Sequence, residues 1–282
     1  MKRVAIQGGF GAYHEIAARN YFEGEELEIV PCLTFRDIFF EADKDPGLIG
    51  MMAIENTIAG GLLQNHDLLR RSHLSIAGEY KLRISHTLSA LPGQRLEDIK
   101  EIVSHPMALM QCGDFLDLLP AVKIVEHEDT ALAAKEIAEK NLMGEAAICS
   151  DLAATMYGLN ILARGIETNK RNFTRFLVLA QGRMLEEVQK NNHVNKSTLV
   201  FVLPHSEGIL SRVLSIFSFY DINLTRIQSL PIIGREWEYR FYIDLTFRDY
   251  RRYKQSIDAI MPLINDLKVL GEYRESKQSI EK

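Results

Sequence analysis

The chain has 282 residues, 46% of them apolar and 25% charged, with a formal net charge of -5 and a sequence pI near 5.9. That composition supports packed cores, and the length suits about two domains, which excludes disorder for the bulk of the chain. No basic face marks a nucleic-acid binder, no apolar run reaches the roughly eighteen residues of a membrane helix, and the N-terminus lacks the apolar stretch of a signal peptide.

Val4-Ala5-Ile6 opens as a strand, followed by Gln7-Gly8-Gly9-Phe10-Gly11 and a helix through Ala17-Ala18. Glycines between a strand and a helix let backbone amides approach an anion; a glycine-rich turn with no ligand explains them equally well. Leu27 to Val30 reads as a strand closed by Pro31, and Thr34 as the cap of a helix through Phe35, Ile38 and Phe39. Leu48 to Ile54 is a continuous apolar strand of the buried parallel kind. It ends in Glu55-Asn56-Thr57 ahead of Gly60-Gly61. Strand ends in α/β sheets are ligand positions, and an Asx turn capping the next helix is the plain alternative.

Ile99–Val103, Val122–Val125 and Ala146–Cys149 are further short strands, with helix patterns over Met107–Leu119 and Ala131–Leu142. The alternation predicts an α/β domain with helices on both sheet faces. In Val103-Ser104-His105-Pro106, Pro106 suits the first helical position, with Ser104 or His105 in the capping region. Gln111 follows Ser104 by about two turns and can face the same cleft. A plain cap for Ser104 and a hydrogen-bonded structural histidine for His105 are the alternatives. Neither His spacing nor the scattered Cys32, Cys112 and Cys149 suggests a metal or a disulfide framework; buried free thiols in a reducing cytoplasm are the expectation. Asn172-Phe173-Thr174-Arg175-Phe176 leads into an apolar strand to Ala180. An Arg beside a hydroxyl suits a carboxylate substrate; pairing with a surface Glu is the ordinary alternative.

Residues 183–196 are polar without sustained periodicity and read as a linker. Residues 197–275 then follow a βαββαβ order: a strand to Leu203, a helix from Gly208 through Phe217, a strand from Ile222, an alternating strand from Trp237 to Phe247, a helix through Tyr253 and Ile264, and a strand to Tyr273. Residues 276–282 are a tail. At about 80 residues this domain is small for an independent core, so pairing with a second copy is expected.

Taken in order, Gln7-Gly8 with Gly11-Ala12-Tyr13 and Glu15, Ile54-Glu55-Asn56-Thr57, Gly78-Glu79, Ile84-Ser85-His86, Ser104-His105-Pro106, Gln111-Cys112, Ala146-Ala147-Ile148, Tyr157-Gly158-Leu159 and Asn172 to Phe176 resemble prephenate dehydratases. Gly208-Ile209-Leu210, Ile222-Asn223-Leu224-Thr225, Ser229 and Pro231 resemble the ACT regulatory domain that follows in that family. The resemblance implies a two-lobed, periplasmic-binding-protein-like catalytic domain over 1–182, with lobes about 1–77 plus 166–182 and 78–165, and a ferredoxin-like ACT domain over 197–275. It implies conversion of prephenate to phenylpyruvate, water and carbon dioxide in phenylalanine biosynthesis, without metal or organic cofactor. It further implies feedback by phenylalanine, a cytoplasmic homodimer or homotetramer, and no nucleic-acid or membrane partner.

Matched residue by residue, the resemblance gives Thr174 as donor to the departing hydroxyl and Glu55 as support for the loop or the proton supply. Asn56, Thr57, Ser104, Gln111, Asn172 and Phe176 would bind substrate, and Arg175 would hold a carboxylate or the cleft geometry. Gly208, Ile209, Leu210, Asn223, Leu224, Thr225, Gln228 and Ser229 would bind the effector. The family's Glu-Ser-Arg-Pro motif stands here as Gln228-Ser229-Leu230-Pro231, and His14 stands where Ser is usual. An exposed first-turn place is expected for His14. Arogenate as substrate and a non-catalytic amino-acid sensor are the rival readings. No chorismate mutase segment precedes Val4, so a monofunctional enzyme is expected.

Overall fold

The computed structural model describes residues 1–190, 193–232, 234–235 and 238–276. In chain order it begins with β1 (Lys2–Gln7), α1 (Tyr13–Tyr21), β2 (Leu27–Cys32), α2 (Phe35–Lys44), β3 (Ile49–Asn56), β4 (Gly60–Gly61), α3 (Leu63–Arg71) and β5 (Ser75–Arg83). Then come β6 (Thr87–Ala90), β7 (Glu101–Ser104), α4 (Pro106–Gln111), α5 (Gly113–Leu116), β8 (Lys123–Glu126), α6 (Thr130–Lys140), β9 (Glu145–Cys149), α7 (Asp151–Met156), β10 (Asn160–Arg164) and β11 (Phe173–Ala180). The chain continues through α8 (Gly182–Gln189), β12 (Lys196–Val202), α9 (Ile209–Phe219), β13 (Asn223–Pro231), β14 (Tyr239–Thr246), α10 (Tyr250–Ile260) and β15 (Asn265–Tyr273). Two compact units result: Met1–Gly61 with Tyr80–Phe176, and Leu62–Glu79 with Leu177–Lys282. Among the described residues no helix is long and apolar enough to cross a membrane.

One sheet has the order β2-β1-β3-β11-β5, with β4 on β3. β1 runs parallel to both β2 and β3. Every residue from Ile49 to Ile54 is buried, as the unbroken apolar run of β3 requires. β2 continues through Pro31 to Cys32 instead of closing at the proline. It lies at the sheet edge, where a missing N–H costs no ladder bond. Thr34 caps α2 in a reciprocal capping box with Asp37.

A sheet whose strands all fall in the first unit has the order β10-β6-β9-β7-β8. The helix expected over Met107–Leu119 is two helices, broken at Cys112, whose backbone leaves the helical region (φ -105, ψ 19) ahead of Gly113. The Cys112 thiol is buried there, and so are Cys32 and Cys149; all are free. α6 turns Ala131, Ala133, Ala134 and Ile137 inward, and Asp129 caps it by accepting from Ala131 N and Leu132 N.

In the second unit the sheet order is β13-β14-β12-β15, antiparallel at each pair, and the elements follow the βαββαβ order. Leu199, Phe201, Val213, Phe217, Ile243, Leu245, Tyr253 and Ile260 form its core. α8 occupies the first half of the stretch read as a linker. Its apolar face is short, Met184 and Leu185 half-buried with Val188 buried one turn on, so the period is not sustained beyond two turns. β14 begins at Tyr239; Trp237, read as its start, lies outside the described residues, as do 277–282.

Candidate active site

The end of β3 and the start of β11 lie side by side. Thr57 N donates to Phe173 O at 2.9 Å, and the Thr57 hydroxyl both donates to Arg171 O and accepts from Phe173 N. Thr57 is therefore a clasp between the two segments. Asn56 Oδ1 accepts from the backbone amides of Ile58 and Ala59, both at 2.9 Å, an Asx-type turn. That orientation turns its Nδ2 toward Asn172 Oδ1 (2.7 Å), Phe173 O (3.2 Å) and Thr174 Oγ1 (3.0 Å). Thr174 Oγ1 is thus an acceptor, and no described residue takes its own hydroxyl proton.

Asn172 passes the contact on. Its Nδ2 donates to Gln111 Oε1 at 2.8 Å, from the last residue of α4. His86 Nε2 lies 3.0 Å from the same oxygen. The Gln111 NH2 group has no partner among the described residues. Behind His86 stands Tyr13 of α1, its hydroxyl 2.8 Å from His86 Nδ1 and 2.8 Å from Ser85 O. Burial raises the Tyr13 pKa well above its ordinary value and lowers that of His86. Six side chains form one chain of hydrogen bonds: Tyr13, His86, Gln111, Asn172, Asn56 and Thr174. The sequence reading singled out the last four as site residues. It missed Tyr13 and His86, although both sit in motifs that carry the family resemblance.

Strand alternation sends the neighbours the other way. Glu55 Oε1 meets Arg175 Nη1 at 3.1 Å, with Arg175 only 5% exposed. Of the uses open to this arginine, the structure displays an ion pair across β3 and β11. Phe176 is buried, and its ring meets His14 edge-on at 4.9 Å. His14 itself is buried rather than exposed. It lies on the inner face of α1 with Ala17 and Ala18, one turn apart, and its Nε2 accepts from Ala53 N at 3.3 Å. Burial lowers its pKa to about 3. Ser104 is fully buried and donates to Ile148 O at 2.6 Å, so its hydroxyl is not joined to the Asn56–Thr174 chain. The cap of α4 is His105, whose Nδ1 accepts from Met107 N at 3.1 Å.

The glycine run before α1 is filled by protein. A Cβ on Gly8 would stand 2.6 Å from an Asp129 carboxylate oxygen, one on Gly9 2.7 Å from Leu132, and one on Gly11 2.6 Å from the Ala153 backbone. Ser150 Oγ also donates to Gly11 O at 2.6 Å. Of the two readings of these glycines, close packing is the one the structure displays.

The expected effector residues fall into two groups. Gly208 opens α9 in the left-handed region (φ 71), with Ile209 and Leu210 after it, beyond the end of β12. Ser229 lies level with Phe241 and Phe201 toward that same end of the sheet, next to Gln228. Asn223 instead pairs with Thr246, which pairs with Lys196 at the start of β12. Asn223 and Ser229 are therefore about 20 Å apart along β13, with Leu224 and Thr225 at the Asn223 end. Asn223 lines a cavity of about 830 Å³ with Tyr220, Phe247 and Arg248.

Comparison with known proteins places this arrangement. A chloroplastic arogenate dehydratase/prephenate dehydratase of Arabidopsis thaliana is 37% identical over 96% of this chain and 72% of its own length. A prephenate dehydratase structure from Arthrobacter aurescens in complex with L-Phe is 28% identical, with a TM-score of 0.85 over 96% of this chain and 90% of its own. GqqA, described as a novel type of quorum quenching acylase, is 28% identical with a TM-score of 0.86 over 98% of both chains. The family model "Prephenate dehydratase" matches residues 4–184, a span that contains all six residues of the hydrogen-bonded cluster. The chain belongs to the prephenate dehydratase family.

Proposed function

We propose that the chain converts prephenate to phenylpyruvate, carbon dioxide and water, with Thr174 as the donor to the departing hydroxyl. The observation that carries this is the donor face of the cluster. Asn56 occupies an acceptor position of Thr174 Oγ1, which leaves the threonine O–H available as a donor. Gln111 presents its NH2 group in the same cluster. Both donors suit an oxygen that gains negative charge as it leaves.

In the reaction the bond from the ring to the carboxylate carbon breaks, and its electron pair enters the ring. The ring carbon–oxygen bond breaks in turn, and the oxygen leaves with the electron pair of that carbon–oxygen bond and takes one proton to give water. Aromatisation drives the step, so the residues need only orient the dianion and stabilise the leaving oxygen. Positioned proton donation contributes about 10²–10⁴-fold. Asn56, Asn172 and Gln111 orient substrate in this reading. Glu55 and Arg175 hold the two strand ends together, with Thr57 as a second tie. Ser104 and Phe176 support the site from buried positions. The cleft between two lobes, over the boundaries expected from sequence, belongs to the same proposal.

The βαββαβ unit is read as an ACT domain that binds phenylalanine, supported by its element order and by the L-Phe complex of the 28% identical neighbour. Within one chain its two groups of effector residues are too far apart for one amino acid, so a paired second copy would bring Gly208–Leu210 against the partner's Asn223 end. That supports a homodimer or homotetramer. Loss of the family's Glu and Arg at Gln228 and Leu230 weakens the hold on a zwitterion. A cytoplasmic location completes the proposal.

Arogenate is the second reading, favoured by the 37% identical relative, which is named for both substrates. Turnover of prephenate and of arogenate, each with and without phenylalanine, tests substrate and regulation together. Hydrolysis of N-acyl amides by the same preparation separates this reading from the acylase for which GqqA is named. Calorimetry that detects no phenylalanine binding at millimolar concentration overturns the effector proposal.

A further inference from the structure

The dehydratase reading gives His86 and Tyr13 no part, although both join the cluster through Gln111. Donor and acceptor matching fixes which nitrogen of His86 carries the hydrogen. The Ile58 and Ala59 amides make Asn56 Oδ1 the acceptor, so Asn56 offers its NH2 to Asn172 Oδ1. Asn172 then has only its own NH2 for Gln111, so the Gln111 atom at that contact is Oε1. A carbonyl oxygen cannot donate, so His86 Nε2 carries the hydrogen. In the neutral ring Nδ1 is then bare and can only accept, and the single Tyr13 hydroxyl hydrogen lies between two acceptors, His86 Nδ1 and Ser85 O, each 2.8 Å away. The tautomer is set from the backbone of the Asn56 turn, four side chains away.

We propose that His86, held in this tautomer by Gln111 and braced at Nδ1 by Tyr13, is a positioning residue that aims the Gln111 NH2 group at the substrate. Two donors converge on Gln111 Oε1, one from His86 and one from Asn172. With one of them removed, the amide plane is free to turn about the remaining contact, and its NH2 loses its direction. A proton relay from His86 to Thr174 is the less fitting role, because the amides between them carry no readily released proton. The inference rests on the dehydratase reading of the site.

The test is a double-mutant cycle in the full chain with prephenate as substrate. His86→Leu removes the donor, His86→Gln keeps one, and Tyr13→Phe removes the hydroxyl that braces the ring at Nδ1. His86→Leu is expected to lower kcat/KM about tenfold or more, and His86→Gln to recover most of that loss. In a Gln111→Ala background, His86→Leu is expected to cost less than about twofold, because its effect runs through Gln111. Melting curves taken alongside report folding; if His86→Leu fails to fold, Tyr13→Phe takes its place in the cycle. Equal losses with and without Gln111 overturn the inference, as does wild-type kcat/KM in His86→Leu. A wild-type chain that turns over neither prephenate nor arogenate overturns the dehydratase reading, and the inference falls with it.

Discussion

Lys196 Nζ lies 3.0 Å from each carboxylate oxygen of Glu79, and both side chains are buried. Glu79 also accepts from Ser276 N at 3.0 Å. The pair ties the start of β12 to β5 inside the second unit. Removing one partner strands a buried charge. Lys196→Met is expected to lower unfolding stability by about 3–5 kcal/mol in a urea titration. Replacing both residues, Lys196→Met with Glu79→Leu, is expected to return most of that loss, because the desolvation cost disappears with the second charge. A double variant as unstable as the single one refutes this account.

Thr174 gives the sharpest test of the proposed chemistry. Thr174→Ala removes the donor hydroxyl and is expected to lower kcat by about 10²-fold or more with little change in KM. Thr174→Ser keeps the hydroxyl and is expected to stay within about tenfold of wild type. Asn56→Ala should resemble Thr174→Ala, because the Asn56 NH2 occupies an acceptor position of the threonine hydroxyl and holds it as a donor. Steady-state kinetics with prephenate check all three; normal turnover by Thr174→Ala removes the threonine from the mechanism.

Much of this site is legible in the sequence because its members sit at ends of apolar runs. Asn56 follows the buried strand Ile49–Ile54, and Thr174 precedes the apolar stretch to Ala180. Local pattern cannot say what a polar side chain faces. The glycines before α1 read equally as an anion loop or a packed turn. The deciding neighbours, Asp129, Leu132 and Ala153, lie more than a hundred residues along the chain. His14 fails for the same reason: its place under Phe176 joins α1 to β11. The break at Cys112 was also hidden, because Met107–Leu119 keeps an apolar period across two short helices.

Gly271 of β15 reports a close approach that only a glycine allows. A Cβ there would stand 2.5 Å from Ile76 O and 2.6 Å from Ile76 Cβ. Backbone, not a flexible side chain, occupies the space. Gly271→Ala is expected to destabilise the chain by about 1–3 kcal/mol, the ordinary cost of overpacking. Gly113 has no atom near its Cβ position and an ordinary backbone, so Gly113→Ala should stay within about 0.5 kcal/mol of wild type. Chemical unfolding of the two variants beside wild type makes the comparison.

His14 gives the fold a pH dependence of predictable sign. Burial lowers its pKa to about 3, against an ordinary value of 6.5, so the native state holds it neutral where the unfolded chain protonates it. Above the unfolded value both states are neutral, and the residue adds nothing. As pH falls from about 6.5 toward 3, the unfolded state binds the extra proton, and stability drops by up to about 1.4 kcal/mol per pH unit. His14→Gln cannot titrate. Its urea midpoint is expected to fall less between pH 7 and pH 5 than that of wild type, whatever its stability at pH 7. Other groups titrate in both proteins and cancel in the difference, so parallel pH slopes for the two would mean that His14 takes up its proton in the folded chain.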